Sequence, residues 1–243
     1  MAETELAVIR DELNWLATQY KEKYITLYEK CCRDIVSWQY GRGGVTIHRG
    51  WYCPSPIRDI VIGNAGRGKL LKKEARCGKP ADYKYGFDAN GELLIVDGPY
   101  SELHKGYSHK EFIIKEDLQR LGLRFEEWCG KTRLCSISIC KYGEGKLIEY
   151  ILSSRPDVRA DTISSFEREQ YSYGGNGELV SAEWTRWSDL GDLAVCANVP
   201  MTPLIRKTSY TFLYDDEGCL SRYIAQTEEG WACEYPVLLK RKM

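Results

Sequence analysis

Hydrophobic positions change their period once along this chain. Through the first forty residues Leu6, Ile9, Leu13, Leu16, Tyr20, Tyr24, Leu27, Cys31, Ile35 and Trp38 recur at intervals of three or four, the repeat that lines one face of an α-helix. Arg10, Glu12, Lys21, Glu22, Lys23, Glu29, Lys30 and Arg33 occupy the other face, and no Gly or Pro interrupts the run. The spacing predicts one long amphipathic helix from about Thr4 to Ser37, closed by Gly41-Arg42-Gly43-Gly44, whose glycines accept the left-handed backbone that ends helices. A stripe of that length needs a surface to cover.

From residue 41 onward, aromatic and β-branched residues come in short runs separated by Gly, Asn and Asp, the signature of strands and hairpins. Four segments resemble one another: Tyr85 to Leu93, Tyr171 to Leu179, Phe212 to Leu220, and the shorter Cys140 to Leu147. In the first three, aromatics stand six and four residues before a Gly and a Leu stands two after it. Each reads as a strand, a tight Gly turn and a returning strand. The turn glycines Gly91, Gly145, Gly177 and Gly218 are 54, 32 and 41 residues apart, too uneven for a propeller or strict solenoid. Further strands are predicted at 45–48, 110–115, 123–128, 133–140, 163–173, 179–187, 205–214 and 231–240. Ser108 followed by Glu111 forms a capping box that leaves a helix open for 110–121, although strand is preferred. Pro80, Pro156, Pro200 and Pro203 mark loops between hairpins.

These patterns predict a single α+β domain over 1–243: a helical segment over 1–40 packed on a twisted antiparallel β-meander of about ten strands built from 41–243. Of 243 residues, 43% are hydrophobic and 28% charged, which excludes disordered and collagen-like chains. Thirty-four basic and 35 acidic residues leave a formal charge of -1, so no overall attraction for phosphate backbones arises and direct nucleic-acid binding is not expected. The N-terminus has no basic segment leading into an apolar one, and no run is long and apolar enough to span a bilayer. A cytoplasmic location, no membrane partner, and ten cysteines kept as reduced thiols are therefore expected.

Candidate chemistry is sparse. The segment from Ile60 to Leu70 approaches a phosphate-binding loop, with Gly63, Gly66, Gly68 and Lys69, but Leu70 stands where the hydroxyl that holds magnesium is needed. A basic glycine loop beside a strand is the simpler account, and a nucleotide-binding enzyme using Gly63–Lys69 stays as an alternative. His48, His104 and His109 are the only histidines; His104 and His109 suit a phosphodiesterase-type pair or a polar hairpin loop. No nucleophile motif occurs, and the closest cysteine spacings (31/32, 129/135, 135/140) lack the Cys-x-x-Cys form of a zinc site. No catalytic residue, cofactor or metal is assigned. Trp, Tyr and Arg dominate binding hot spots, so Trp184, Arg186, Trp187 and Asp189 form the best local candidate for a partner surface, though a sheet face covered by the helix explains them as well.

The unit Tyr-x-Tyr/Phe-Asp-x-x-Gly-x-Leu, clearest at Phe212–Leu220 and Tyr85–Leu93, resembles the YD-type repeat of bacterial Rhs and wall-associated polymorphic toxins. At 243 residues the chain is too short for the spiralling shell those repeats build. It looks like the small cytosolic immunity proteins of polymorphic toxin systems that carry the same hairpins. The resemblance implies a non-enzymatic role: tight binding of a cognate toxin C-terminal domain, for instance a nuclease. The acidic turns Asp215-Asp216-Glu217 and Glu228-Glu229 would then meet a basic groove, or serve as plain solvated turns. A small-ligand or carbohydrate-binding β module is the other reading.

Overall fold

The computed structural model describes residues 2–43, 49–61, 68–72, 81–98, 107–128, 130–153, 162–189 and 203–241. It opens with two helices, α1 (Ala2–Tyr20) and α2 (Tyr24–Asp34), followed by β1 (Ser37–Arg42), a single 3-10 turn (Gly50–Tyr52), α3 (Pro56–Val61) and β2 (Lys69–Leu71). Eleven strands complete it: β3 (Tyr83–Phe87), β4 (Leu93–Asp97), β5 (Tyr107–Glu116), β6 (Gln119–Trp128), β7 (Lys131–Gly143), β8 (Lys146–Ser153), β9 (Ser165–Tyr173), β10 (Leu179–Ser188), β11 (Leu204–Tyr214), β12 (Leu220–Thr227) and β13 (Ala232–Arg241). All thirteen belong to one sheet in which β3 to β13 neighbour one another in chain order, β1 lies beside β3, and β2 forms the edge beyond β1.

The predicted α+β domain, with one helix of some thirty-four residues on about ten strands, is thus corrected to a mainly antiparallel β fold with short helices. The helix breaks at Lys21-Glu22-Lys23, where the Lys23 amide donates to the Tyr20 carbonyl at 2.9 Å and no side chain caps α2. Tyr20 and Tyr24 keep the four-residue interval across the break, so periodicity alone cannot register it. Packing supplies the reason: α1 lies against β7 and α2 against β5, so the axis is re-aimed to stay on the sheet. A straight helix of the predicted length would run about 50 Å, well beyond a ten-residue strand of about 33 Å. Trp38, the last residue of the stripe, sits in β1 opposite Gly86 rather than in a helix. The strand preferred over 110–115 lies within β5; the one expected at 45–48 falls outside the described residues.

Alternation along the strands puts apolar side chains on both faces. On one face Leu6, Ile9, Leu13 and Leu16 of α1 and Cys31 of α2 bury against Ile95, Phe112, Leu123, Phe125, Ile137, Ile139, Ile151, Phe166 and Trp187. On the other, a strap formed by residues 49–61 crosses the sheet. Trp51 and Tyr52 pack on Tyr83, Tyr85 and Phe87, and Ile57 and Ile60 of α3 join Tyr150, Leu152, Tyr171, Phe212 and Tyr223 in a second cluster.

The strap is held by buried ions. Arg49 takes a left-handed backbone (φ 57°), an unfavourable conformation for a residue with a Cβ, and sends its guanidinium into the sheet. There its Nε donates to Glu111 Oε1 at 2.8 Å and its Nη2 to Ser138 Oγ at 2.5 Å, while Arg124 Nη2 donates to Glu111 Oε2 at 3.1 Å. Gly122 makes the room, because a Cβ at this point of β6 would collide with Arg49, Ser138 and Glu111 together. Burial pushes the Glu111 carboxyl up, but the two guanidiniums outweigh it and hold it at about 2. Farther along, Ser55 caps α3 by accepting from the Arg58 amide at 3.1 Å and donates to Glu169 Oε2 at 2.5 Å. Arg58 pairs with Glu167 and lies 3.5 Å from Glu169 Oε1.

Candidate functional site

The hairpin turns are built by their aspartates. Asp88 Oδ1 accepts from the amides of Asn90 (2.9 Å) and Glu92 (2.8 Å), and Asp215 Oδ1 from those of Glu217 (3.1 Å) and Cys219 (2.9 Å). Gly91 and Gly218 follow with φ of 79° and 72°, a backbone that favours glycine. In the Tyr171–Leu179 unit Gly174 replaces the aspartate, and backbone bonds close the turn, from the Gly174 amide to the Glu178 carbonyl and from the Gly177 amide to the Gly174 carbonyl. The tyrosine four residues before the glycine has its own task. Tyr173 donates its hydroxyl to the Leu147 carbonyl, and Tyr214 donates to that of Leu179, both at 2.9 Å. Each thereby ties its hairpin to the leucine of the preceding one.

Because the strands run as a meander, every second connection falls at the same end of the sheet. That end carries the turns 88–92, 117–118, 144–145, 174–178 and 215–219. Together they hold Asp88, Glu92, Asp117, Glu144, Glu178, Asp215, Asp216 and Glu217 and no lysine or arginine. Lys115 and Arg120, back on the strands, neutralise Glu92 at 2.7 and 2.9 Å. Asp117, Glu144, Asp216 and Glu217 are exposed. The middle of this acidic rim has a cleft of about 450 Å³ lined by Asp117, Leu118, Lys141, Tyr142 and Ile148. Leu118 is 70% exposed and Ile148 43%, yet the backbone beneath is fixed, since the Tyr142 amide donates to the Leu118 carbonyl at 2.8 Å. An apolar cleft in an acidic row on hydrogen-bonded turns suits a basic protein surface that inserts an apolar side chain.

The structure divides the sequence-predicted residues among three places. Asp215, Asp216 and Glu217 lie on the rim, Asp215 as the turn builder. Trp184 and Arg186 point to the strap face of β10, where Trp184 Nε1 donates to Glu167 at 3.3 Å and Arg186 stands opposite the same glutamate. Trp187 lies on the helical face, 3% exposed, stacked on Phe166 at 5.3 Å with the Arg10 guanidinium over its ring. Asp189 follows β10 at the end away from the rim, and its amide donates to the Ser164 carbonyl at 2.9 Å. Burial raises its carboxyl against the pull of Arg10. The turn with Glu228 and Glu229 also belongs to that opposite end.

Sequence reasoning missed Asp117, Glu144, Leu118 and Ile148, because each turn taken singly is unremarkable. The signal lay in their parity, acid residues in alternate turns, which becomes legible only once the strands are known to run in order.

The glycine-rich loop lies mostly outside the described residues, but its flanks are the reverse of a phosphate-binding loop: helix α3 precedes it and strand β2 follows, beginning at Lys69. His48 and His104 also lie outside the described residues. His109 has its Nδ1 3.8 Å from the thiol of Cys135, which is buried. Asp215, Glu217 and Cys219 are grouped closely enough to share a cation, but Asp215 is already committed to two amides. Among the described residues seven cysteines are free thiols, and no helix is long and apolar enough to cross a membrane.

No protein-family model matches the chain, and no curated protein matches it. Among solved structures, the crystal structure of TcdB2-TccC3-Cdc42 aligns with 70% of this chain at 15% identity and a TM-score of 0.21. The chain spans 11% of that structure's own chain, and a likeness at this level carries no argument about fold or role.

Proposed function

We propose that this protein binds and neutralises the basic C-terminal domain of a cognate bacterial toxin, as an immunity protein that acts by complex formation rather than catalysis. The observation that carries the reading is the acidic rim: five turns at one end of the sheet whose own residues include eight acids and no lysine or arginine, Glu92 alone being paired with Lys115 and Arg120 of the strands, with a mostly apolar cleft at the centre that Lys141 also lines. Ordered turns lose little entropy on docking, and a one-signed row accelerates encounter with a basic partner while rejecting acidic ones. A toxin nuclease, whose groove must attract phosphates, presents such a surface. The YD-like hairpins agree with this setting, and the rim broadens the contact expected from Asp215-Asp216-Glu217 to the whole end of the sheet.

The test is recovery of the tagged chain from cells co-expressing the flanking open reading frame. A stoichiometric partner with a basic toxic domain is expected. It should be lost when the four exposed rim acids are neutralised as Asp117→Asn, Glu144→Gln, Asp216→Asn and Glu217→Gln, none of which caps a turn through its side chain. Equal recovery by the neutralised variant would refute the rim as the binding surface.

A further inference from the structure

The strap places two arginines, Arg49 and Arg58, over a sheet face that holds Glu111, Arg124, Glu167 and Glu169. The two ends of the strap are held differently. At the first end one carboxylate, Glu111, sits between two guanidiniums and is bonded on both oxygens. At the second end one guanidinium, Arg58, is shared by two carboxylates. Glu169 is 0% exposed. Its Oε2 accepts from both Ser55 and Tyr171, whereas its Oε1 accepts no hydrogen bond. When Glu169 is ionised, its enclosed charge rests on Arg58, a guanidinium it shares with Glu167, and its Oε1 has no hydrogen-bond donor. Enclosing such a charge is far costlier than enclosing the neutral acid.

We propose that the strap is a proton-dependent latch, anchored permanently at Arg49 and seated at Ser55–Val61 only while Glu169 carries a proton. The groups facing Glu169 are Ser55, Arg58, Cys53 and Asp59 of the strap, Tyr150 of β8, Glu167 and Tyr171 of β9, Trp184 of β10 and Tyr210 of β11. Arg58 is the cation in direct contact with Glu169, and Arg186 of β10 and Arg206 of β11 stand in register beyond Glu167 on the same face. Burial raises the carboxyl above its ordinary range, and the hydrogen bonds of Ser55 and Tyr171 with the charge of Arg58 reverse this only in part. Above that raised value the ionised carboxylate gains by reaching water, which requires α3 to lift from Tyr171 and Tyr150. Below it, the latch closes. The Arg49 end stays in place throughout, because Glu111 remains ionised down to about 2.

Amide hydrogen exchange of the full chain tests this at the two ends of the strap. Protection at Arg58 and Asp59, whose amides donate to Ser55, should fall about tenfold or more as the pH is raised from below the ordinary 4.5 of a glutamate to about 8, after correction for intrinsic rates. Protection at Trp51, whose amide donates to the Tyr85 hydroxyl, should not change. Glu169→Gln, the neutral mimic, should keep Arg58 and Asp59 protected at both values. Unchanged protection in the wild type, or an undiminished pH response in Glu169→Gln, would overturn the latch. If Glu169→Gln does not fold, Glu167→Gln decides instead. It leaves Arg58 to Glu169 alone, so the opening must move to higher pH or disappear as the paired carboxylate becomes tolerated, and an unmoved transition rejects the proposal.

Discussion

Asp88 and Asp215 perform the same task far apart in the chain: one carboxylate oxygen accepts two turn amides just before a glycine with positive φ. This explains in physical terms why the unit reads Tyr-x-Tyr/Phe-Asp-x-x-Gly-x-Leu. Asp215→Ala should lower unfolding free energy by about 1 kcal/mol in urea titrations, whereas Asp216→Ala, with no such bonds, should stay within about 0.5 kcal/mol of wild type. Gly122→Ala should cost about 2 to 4 kcal/mol by the same measurement, because its methyl group displaces Arg49 from Glu111 and leaves buried charge imperfectly paired. The two buried glutamates respond oppositely to pH. Glu111 is held below its ordinary 4.5, so its stabilisation is complete above that value and disappears as pH falls through about 2. The stability deficit of Glu111→Gln should therefore shrink on acidification through that window. Glu169 is raised above its ordinary 4.5, so the fold is favoured below that value and loses this contribution as pH rises through the folded one.

Among the elements, the hairpins were legible in the sequence and the helices only partly. A turn announces itself locally because Asp and Gly are selected by backbone geometry within five residues. The break at Lys21-Glu22-Lys23 is imposed by the sheet underneath, and Tyr20 to Tyr24 keeps the stripe in phase. For the same reason Trp38 read as helix and proved to be strand, since pairing with β3 outweighs a weak local preference. Trp184 and Trp187 read alike, as a partner surface or as one sheet face covered by the helix, yet an odd separation puts them on opposite faces, and both faces of β10 are packed. The tyrosine hydroxyls that join successive hairpins were not foreseen, because period-two patterning speaks of faces and not of the bonds a ring's far end makes. Tyr214→Phe removes the bond to the Leu179 carbonyl. It should cost about 1 kcal/mol of unfolding free energy, with the double variant Tyr173→Phe, Tyr214→Phe costing about the sum if the two bonds are independent.

At the scale of the whole molecule, one unbroken meander explains how acids scattered over some 130 residues of sequence come to share one edge. The net charge of -1 conceals this, because cations elsewhere in the chain compensate for these acids. Association through the rim should therefore weaken steeply with salt even though the protein as a whole is nearly neutral, by about tenfold or more between low and physiological ionic strength. The most direct test of the account is survival of cells that express the cognate toxin domain together with this chain. The wild-type chain should restore growth, and the variant with Asp117, Glu144, Asp216 and Glu217 neutralised should fail to do so while remaining folded and equally abundant. Growth restored equally by that variant, or no protection by the wild type, would contradict it.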